Sequence, residues 1–394
     1  MPIINPNFEK LVQNYLFSEV GARRVKFEKG NPGVKVYNLG IGDVTLPLPP
    51  SIVEAGKSAM DEQLKKETFR GYPDAAGYPF LREAIAAWYR GLFDDSLCPA
   101  TDEVFVGSGA KDDLYAIQQG LFAQENSVAI VEPAYPAYID ANVLAGRKDH
   151  IRFLPTTEAT GFVPEIPKEK VDLIYLCYPN NPTGAMISKS ELQKWVDYAN
   201  KNNSIILYDA VYSEFISDPD LPRSIYACDG AKKCAIEMQS FSKRAGFTGM
   251  RCGWTIVPQD TGLRDKWKRY RDATYNGTSY PIQRMAEAAL SERGKREIAE
   301  NLAYYAENAS IIRRGLTGAG LRVFGGVNSP YCWVKIPGKM TSWDFFDLML
   351  ERANVVGTPG SGFGKSGEGY FRLTSFNTHE NTAQAVANMK KVLS

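Results

Sequence analysis

Histidine is almost missing from this sequence, with His150 and His379 the only two among 394 residues. A Ser-His-Asp or Cys-His hydrolase would have to use one of them, and neither lies near a nucleophile-elbow pattern. Proton transfer is therefore expected from another residue type. Paired cysteines are missing as well: Cys98, Cys177, Cys228, Cys234, Cys252 and Cys332 are scattered without a C-x-x-C spacing, which argues against structural zinc and against a disulfide framework. No metal site is expected. Neither charge is in excess, since 46 Lys and Arg against 45 Asp and Glu leave a formal +1, and no basic field advertises nucleic acid or an acidic membrane face. Long apolar runs are lacking too. None approaches the roughly 20 residues of a membrane helix, and the opening Met-Pro-Ile-Ile-Asn-Pro-Asn has no basic stretch leading into an apolar one. The expectation is a cytoplasmic protein acting on small molecules, without nucleic acid or membrane partners.

What is present is an ordinary globular composition, 44% hydrophobic and 23% charged, in a chain long enough for two or three domains of about 150 residues. Short apolar runs recur at 104–106, 128–131, 151–154, 173–178, 205–208, 235–240 and 252–257. Between them lie segments with helical spacing, such as 112–122, with Leu114, Ile117 and Leu121 on one stripe, and 191–200. This alternation predicts an α/β fold with a mostly parallel, buried sheet between crossover helices. Beyond Tyr280 the pattern changes to charged helical stretches at 283–314, strands near Val323 and at 331–336, a helix at 343–353 and a last strand at 370–375. That region predicts a smaller α+β domain. The first 45 or so residues, with Pro2, Pro6 and Pro32, match neither region and read as an arm packing on something else.

Three stretches carry the chemistry. In Ser240-Phe-Ser-Lys-Arg-Ala-Gly-Phe-Thr-Gly-Met-Arg251 a lysine directly follows an apparent strand, and hydroxyls, Lys243 and Arg251 could converge on one anion. A strand-end lysine among apolar neighbours can lose its proton and form a Schiff base with an aldehyde; a solvated loop with two unrelated cations is the plainer reading. Tyr208-Asp-Ala-Val-Tyr212 places an acid at the carboxyl end of a buried strand, where it needs a cation, unless Asp209 is only a helix N-cap. A pyridinium nitrogen would serve. Cys177-Tyr-Pro-Asn-Asn-Pro-Thr-Gly184 is by itself only a good turn.

In this order the three stretches resemble the fold type I aminotransferases that use pyridoxal 5′-phosphate (PLP). The resemblance implies a large domain with a seven-stranded sheet, a Schiff base on Lys243, and a later role for Lys243 as proton shuttle. It places Asp209 opposite the pyridine nitrogen, with Tyr212 and Asn181 at the ring's phenolic oxygen. Val106-Gly-Ser-Gly-Ala110-Lys111 opens a helix whose amides and dipole suit a phosphate. Ala110, Lys111, Ser240, Ser242 and Arg251 then complete the phosphate cup. Tyr135, in Glu132-Pro-Ala-Tyr-Pro-Ala-Tyr138, matches the aromatic that stacks on the cofactor ring, although read alone it is an ordinary core or turn aromatic.

From nearly its first residue to its last the chain is also similar to the LL-diaminopimelate aminotransferase family. This likeness is carried by Asn14-Tyr-Leu-Phe17, Leu39-Gly-Ile-Gly-Asp43, Gly71-Tyr72, Gly109-Ala-Lys111, Tyr275-Asn-Gly-Thr278 and Phe371-Arg-Leu-Thr-Ser-Phe376. It implies Tyr15, Gly42, Lys111, Tyr135, Asn181, Asn276 and Arg372 as substrate contacts, with Arg372 gripping the α-carboxylate. Tyr72 and Asn276 would also reach the cofactor. In that family Tyr15, Tyr72 and Asn276 come from the other subunit, which implies a homodimer. The implied domains are an arm over 1–45 joining the small domain, a PLP domain over 46–282 and a small domain over 283–394. The implied reaction is reversible: L-glutamate and tetrahydrodipicolinate give LL-diaminopimelate and 2-oxoglutarate, on the route to lysine and peptidoglycan. One position departs from the family pattern. An acid is expected three residues after Tyr72 to read the distal amino group, and Ala75 stands there with Asp74 beside it; losing such a contact costs about 2–5 kcal/mol of recognition. Ala75 motivates the alternative of a broader transaminase for aspartate, lysine or aromatic amino acids. A PLP-binding regulator is the alternative from another class, and no basic helix-turn-helix extension accompanies this chain to support it.

Overall fold

The computed structural model describes residues 2–12, 15–93 and 97–393; Asn14 of the Asn14–Phe17 motif lies outside them. In chain order the main elements are α1 (Leu16–Gly30), β1 (Tyr37–Asn38), α2 (Pro50–Gln63), α3 (Pro79–Arg90), β2 (Val104–Gly107), α4 (Ala110–Gly120), β3 (Val128–Glu132), α5 (Pro136–Leu144), β4 (Ile151–Pro155) and β5 (Leu173–Cys177). There follow α6 (Lys189–Asn202), β6 (Ile205–Asp209), β7 (Ala235–Ser240), α7 (Phe241–Arg244), β8 (Gly253–Ile256), α8 (Arg264–Thr274), α9 (Tyr280–Leu290) and α10 (Glu292–Thr317). The chain ends with β9 (Val323–Gly325), β10 (Tyr331–Lys335), α11 (Ser342–Ala353), β11 (Val355–Val356), β12 (Thr358–Pro359), β13 (Tyr370–Thr374) and α12 (His379–Leu393).

The central sheet has seven strands in the order β2-β8-β7-β6-β5-β3-β4. Five of them, β7, β6, β5, β3 and β4, run parallel, while β8 is antiparallel to both β2 and β7. Interior strands such as β3, β5 and β7 are buried at every position, as expected for strands covered on both faces. The two edge strands differ: β2 is buried at every position, whereas β4 buries only Leu154. The crossover helices obey local rules. In α6, Ser188 and Glu191 cap each other's backbone, and the buried stripe Leu192, Trp195, Val196 and Ala199 faces the sheet, following the i, i+3, i+4, i+7 pattern.

A second apolar core surrounds the antiparallel sheet β12-β13-β10-β9 and the helices α10 to α12. Leu16, Val20 and Leu39 of the first forty residues belong to this core, and β1 pairs in parallel with β11. The helical stretch expected over 283–314 is two helices, α9 and α10, which meet at Ser291; its hydroxyl accepts from Gly294 N. Helix α12 was not expected after the last strand. Its buried stripe of Thr382, Ala385, Val386 and Met389 follows the helical period.

One carboxylate ties the two cores together. Glu132, at the end of β3 and 7% exposed, accepts from Lys365 N at 3.0 Å, Ser366 N at 3.2 Å and Ser366 Oγ at 2.7 Å, and Ala134 N donates to Phe363 O at 2.8 Å. Glu132→Ala leaves those donors unpaired and is expected to lower the unfolding free energy by about 2–4 kcal/mol. Glu132→Gln, which keeps acceptor oxygens, should lose less. Urea unfolding measures both, and equal losses in the two variants would contradict this account.

Candidate active site

The carboxyl ends of β5, β6 and β7, the start of α4 and the middle of β13 enclose a cavity of about 420 Å³. Of the residues singled out from the sequence, Gly42, Ala110, Lys111, Tyr135, Asn181, Asp209, Tyr212, Ser240, Ser242, Lys243, Arg251 and Arg372 line it. Parallel strands place their carboxyl ends at one edge, where open α/β sheets gather ligands.

Lys243 sits on α7, a single turn that starts where Ser240 Oγ accepts from Ser242 N at 3.1 Å. Its Nζ donates to the Gly42 carbonyl and lies 5.7 Å from the Phe376 ring centroid. Burial pushes its ammonium down to about 8; Asp43 opposes this shift, and the positive charges of Arg372 and Arg251 reinforce it. Asp209, at the end of β6 and 8% exposed, accepts from Tyr138 Oη at 2.6 Å and from Val211 N at 3.3 Å. Burial raises its carboxyl pKa, and these two hydrogen bonds pull the other way. No cation among the described residues pairs with it. A buried acid in that position is suited to a cationic ligand atom.

The anion side of the cavity is built from backbone and hydroxyls. Arg251 donates to Ser242 Oγ at 3.1 Å and makes a looser pair with the exposed Asp112 at 3.4 Å. Gly109, with φ of +152°, precedes α4, and a Cβ there would stand 2.4 Å from Arg251 Nη2. Glycine therefore lets the arginine reach the start of the helix, where free amides favour an anion.

Arg372 reaches the cavity from the other core. It is 1% exposed and donates to Asn181 Oδ1 at 2.6 Å, the Gly40 carbonyl at 2.8 Å and Thr358 Oγ1 at 3.4 Å. Its Nε has no partner, and no carboxylate among the described residues pairs with it. The rings of Tyr331, Phe363 and Phe17 stand 4.5, 4.8 and 5.4 Å away. Such a buried fork is shaped for an incoming carboxylate. Nearby, Tyr212 and Tyr331 share a hydroxyl contact of 2.6 Å.

Tyr15, Tyr72 and Asn276 behave differently from these residues. Tyr15, which directly precedes helix α1, lies beside Tyr135 and Lys111 of its own chain, with Lys111 Nζ 5.2 Å from its ring centroid, and is not among the residues lining the cavity. Tyr72 is 87% exposed and Asn276 is exposed, both outside the cavity. Asp74, beside Ala75, spends Oδ1 on Ala76 N at 2.7 Å. Sequence reasoning missed Tyr138 and Tyr331. Tyr138 lies three residues after Tyr135 in the same quoted segment, and helical spacing places the two on one face.

The family model for aminotransferase class I and II matches residues 34–389. The chain belongs to this family. It is 49% identical over 403 aligned residues to LL-diaminopimelate aminotransferases of Agathobacter rectalis and Lachnospira eligens, covering 98% of this chain and 99% of each relative. Among solved structures, L,L-diaminopimelate aminotransferase from Chlamydomonas reinhardtii superposes with a TM-score of 0.94 at 39% identity, over 100% of this chain and 99% of that one. The mixed seven-stranded sheet is accordingly that of a fold type I aminotransferase. Class I aminotransferases depend on PLP, and the cavity fits that group: an anion cup, an unpaired buried acid and a lysine poised to be neutral.

In this aminotransferase a group with pKa of about 8 is neutral in about a tenth of molecules at pH 7, against about one in 2,500 for an ordinary lysine. Labelling of Lys243 in the cofactor-free protein by cyanate should rise with pH through about 8 and then level off. A rate still climbing towards pH 10 would contradict the burial effect.

Proposed function

We propose that this aminotransferase interconverts L-glutamate plus tetrahydrodipicolinate with LL-diaminopimelate plus 2-oxoglutarate, serving lysine and peptidoglycan precursor synthesis. The observation that carries this reading is Arg372, a buried guanidinium without a carboxylate, facing the same cavity as Lys243 in a chain that matches LL-diaminopimelate aminotransferases over its full length. PLP would be held by Lys243, by Asp209 at its ring nitrogen, by Asn181 and Tyr212 at its ring oxygen, by Tyr135 against its face, and by Ala110, Lys111, Ser240, Ser242 and Arg251 at its phosphate. Bound there, PLP supplies a carbonyl to carry the amino group and a ring that withdraws electrons from the substrate α-carbon. Arg372 grips the substrate α-carboxylate and so orients the Cα–H bond. Lys243, neutral in part near pH 7, takes the proton from that carbon and returns it on the cofactor side. Asp209 keeps its negative charge once a cation faces it. Tyr15, Lys111, Asn181 and the Gly42 backbone contribute the remaining substrate contacts.

A homodimer belongs to the same proposal, because Tyr72 and Asn276 lie on the outside of their own chain, where they can complete a neighbour's site. So does the division into an arm over 1–45, a cofactor domain over 46–282 and a small domain over 283–394, with the two apolar cores in support. No helix among the described residues is long and apolar enough to cross a membrane, and a cytoplasmic place of action is part of the reading.

A second reading, a transaminase of broader specificity, is favoured by Ala75, which offers only a methyl group, beside Asp74, which is engaged in its own turn. A donor panel separates the two. Mixed with the PLP-loaded protein, LL-diaminopimelate is expected to convert the cofactor spectrum to the aminated form faster than meso-diaminopimelate, lysine, aspartate or phenylalanine. An inert LL isomer beside active competitors would overturn the substrate assignment. Lys243→Ala should abolish turnover, and Arg372→Ala should lower kcat/KM by about 100-fold; steady-state kinetics with glutamate checks both.

A further inference from the structure

The loops that carry Tyr72 and Asn276 take their shape from a side chain that no sequence motif pointed to. Arg271, near the end of α8, is 2% exposed. Its guanidinium pairs with Asp113 at 2.8 Å. It donates twice to the Ala75 carbonyl, at 2.9 and 3.2 Å, and once to the Val106 carbonyl. Its carbon lies 3.9 Å from the Tyr275 ring centroid. One cation therefore braces three segments: the 71–77 loop, the end of β2 with the first turn of α4, and the 275–278 loop.

The surroundings reinforce this brace. Val106 N donates to the Ala76 carbonyl at 2.9 Å, and Gly277 is so close to the neighbouring loop that a Cβ there would stand 2.4 Å from Pro73 Cγ. Tyr275 Oη contacts Ser108 Oγ at 3.0 Å and Thr278 Oγ1 at 2.8 Å. Asp113 accepts from Thr255 Oγ1 at 2.7 Å, which anchors the acid to β8.

We propose that Arg271 is a positioning residue of this aminotransferase, holding the 107–110 turn that receives the cofactor phosphate and the loops bearing Tyr72 and Asn276 as one unit. It lies outside the cavity lining, and it acts through Ala75, Val106, Asp113 and Tyr275. The proposal rests on reading the cavity as a PLP site. An ion pair with Asp113 alone would be structural; the fork aimed at the Ala75 and Val106 carbonyls is what positions the turn. Lysine keeps the charge for Asp113 but has no planar fork to span both carbonyls.

The full-length protein and its Arg271→Lys, Arg271→Met and Tyr275→Phe variants, freed of cofactor, are titrated with PLP and with pyridoxal, which lacks the phosphate. Arg271→Lys is expected to weaken PLP binding about tenfold while pyridoxal binding changes by less than about twofold. It should also raise KM for the amino donor more than it lowers kcat. Arg271→Met should be worse, and Tyr275→Phe, which loses the hydroxyl contacts to Ser108 and Thr278, should weaken PLP by about threefold. If the methionine variant does not fold, the lysine and phenylalanine variants decide. PLP affinity unchanged in Arg271→Lys, or PLP and pyridoxal affinities falling together, overturns the proposal. Wild-type protein that takes up no PLP would instead overturn the functional reading beneath it.

Discussion

Arg372 lies on β13 between Phe371 and Leu373 of the second apolar core, yet it hydrogen-bonds Asn181 from the turn after β5 and the Gly40 carbonyl from the segment that crosses between the cores. Burying a cation without an anion is costly. Here three neutral acceptors and three aromatic faces spread that cost without cancelling the charge. Asp209 lines the same cavity as an acid that no cation among the described residues pairs with, and Lys243 lines it too, with its ammonium already destabilised. A cavity holding these three groups is electrostatically unfinished. A ligand that brings an anion to Arg372 and a cation to Asp209 would complete it.

The sheet brings these groups together. In the parallel ladder Cys177 stands opposite Asp209, and Asp209 opposite Met238, so the residues that follow each strand emerge at the same edge. The antiparallel strand β8 then returns the chain beside β7, with Gly253 opposite Ser240. That return places Arg251, just ahead of β8, against the start of α4. Glycine at 109 keeps the approach open, and the buried pair of Arg271 with Asp113 holds the helix on its far side.

Much of this was legible in the residues. Runs of β-branched and apolar side chains marked the five interior strands, because a strand covered on both faces must be apolar throughout. Of the two edge strands β2 is buried along its length and β4 is not. Lys243 and Asp209 could be singled out because a charged group at the end of an apolar strand is uncommon without a partner, Arg251 because it follows Lys243 closely enough to share an anion, and Asn181 through the family resemblance. Tyr138, Tyr331 and Arg271 were not legible. A tyrosine or arginine in a helix or strand carries no local sign that its polar end meets something distant, and these three find their partners at separations of 71, 119 and 158 positions. Helix α12 went unread although its buried stripe follows the helical period.

By itself, the sequence determined the alternation of strands and helices in the central sheet and the family to which the chain belongs, since both are carried by short runs of neighbouring residues. Only the tertiary structure decided that Arg372 reaches from β13 to Asn181 and the Gly40 carbonyl, and that Tyr72 and Asn276 face outward. The physical reason is that burial and charge pairing depend on which surfaces meet in space, and for these residues the surfaces that meet are far apart along the chain.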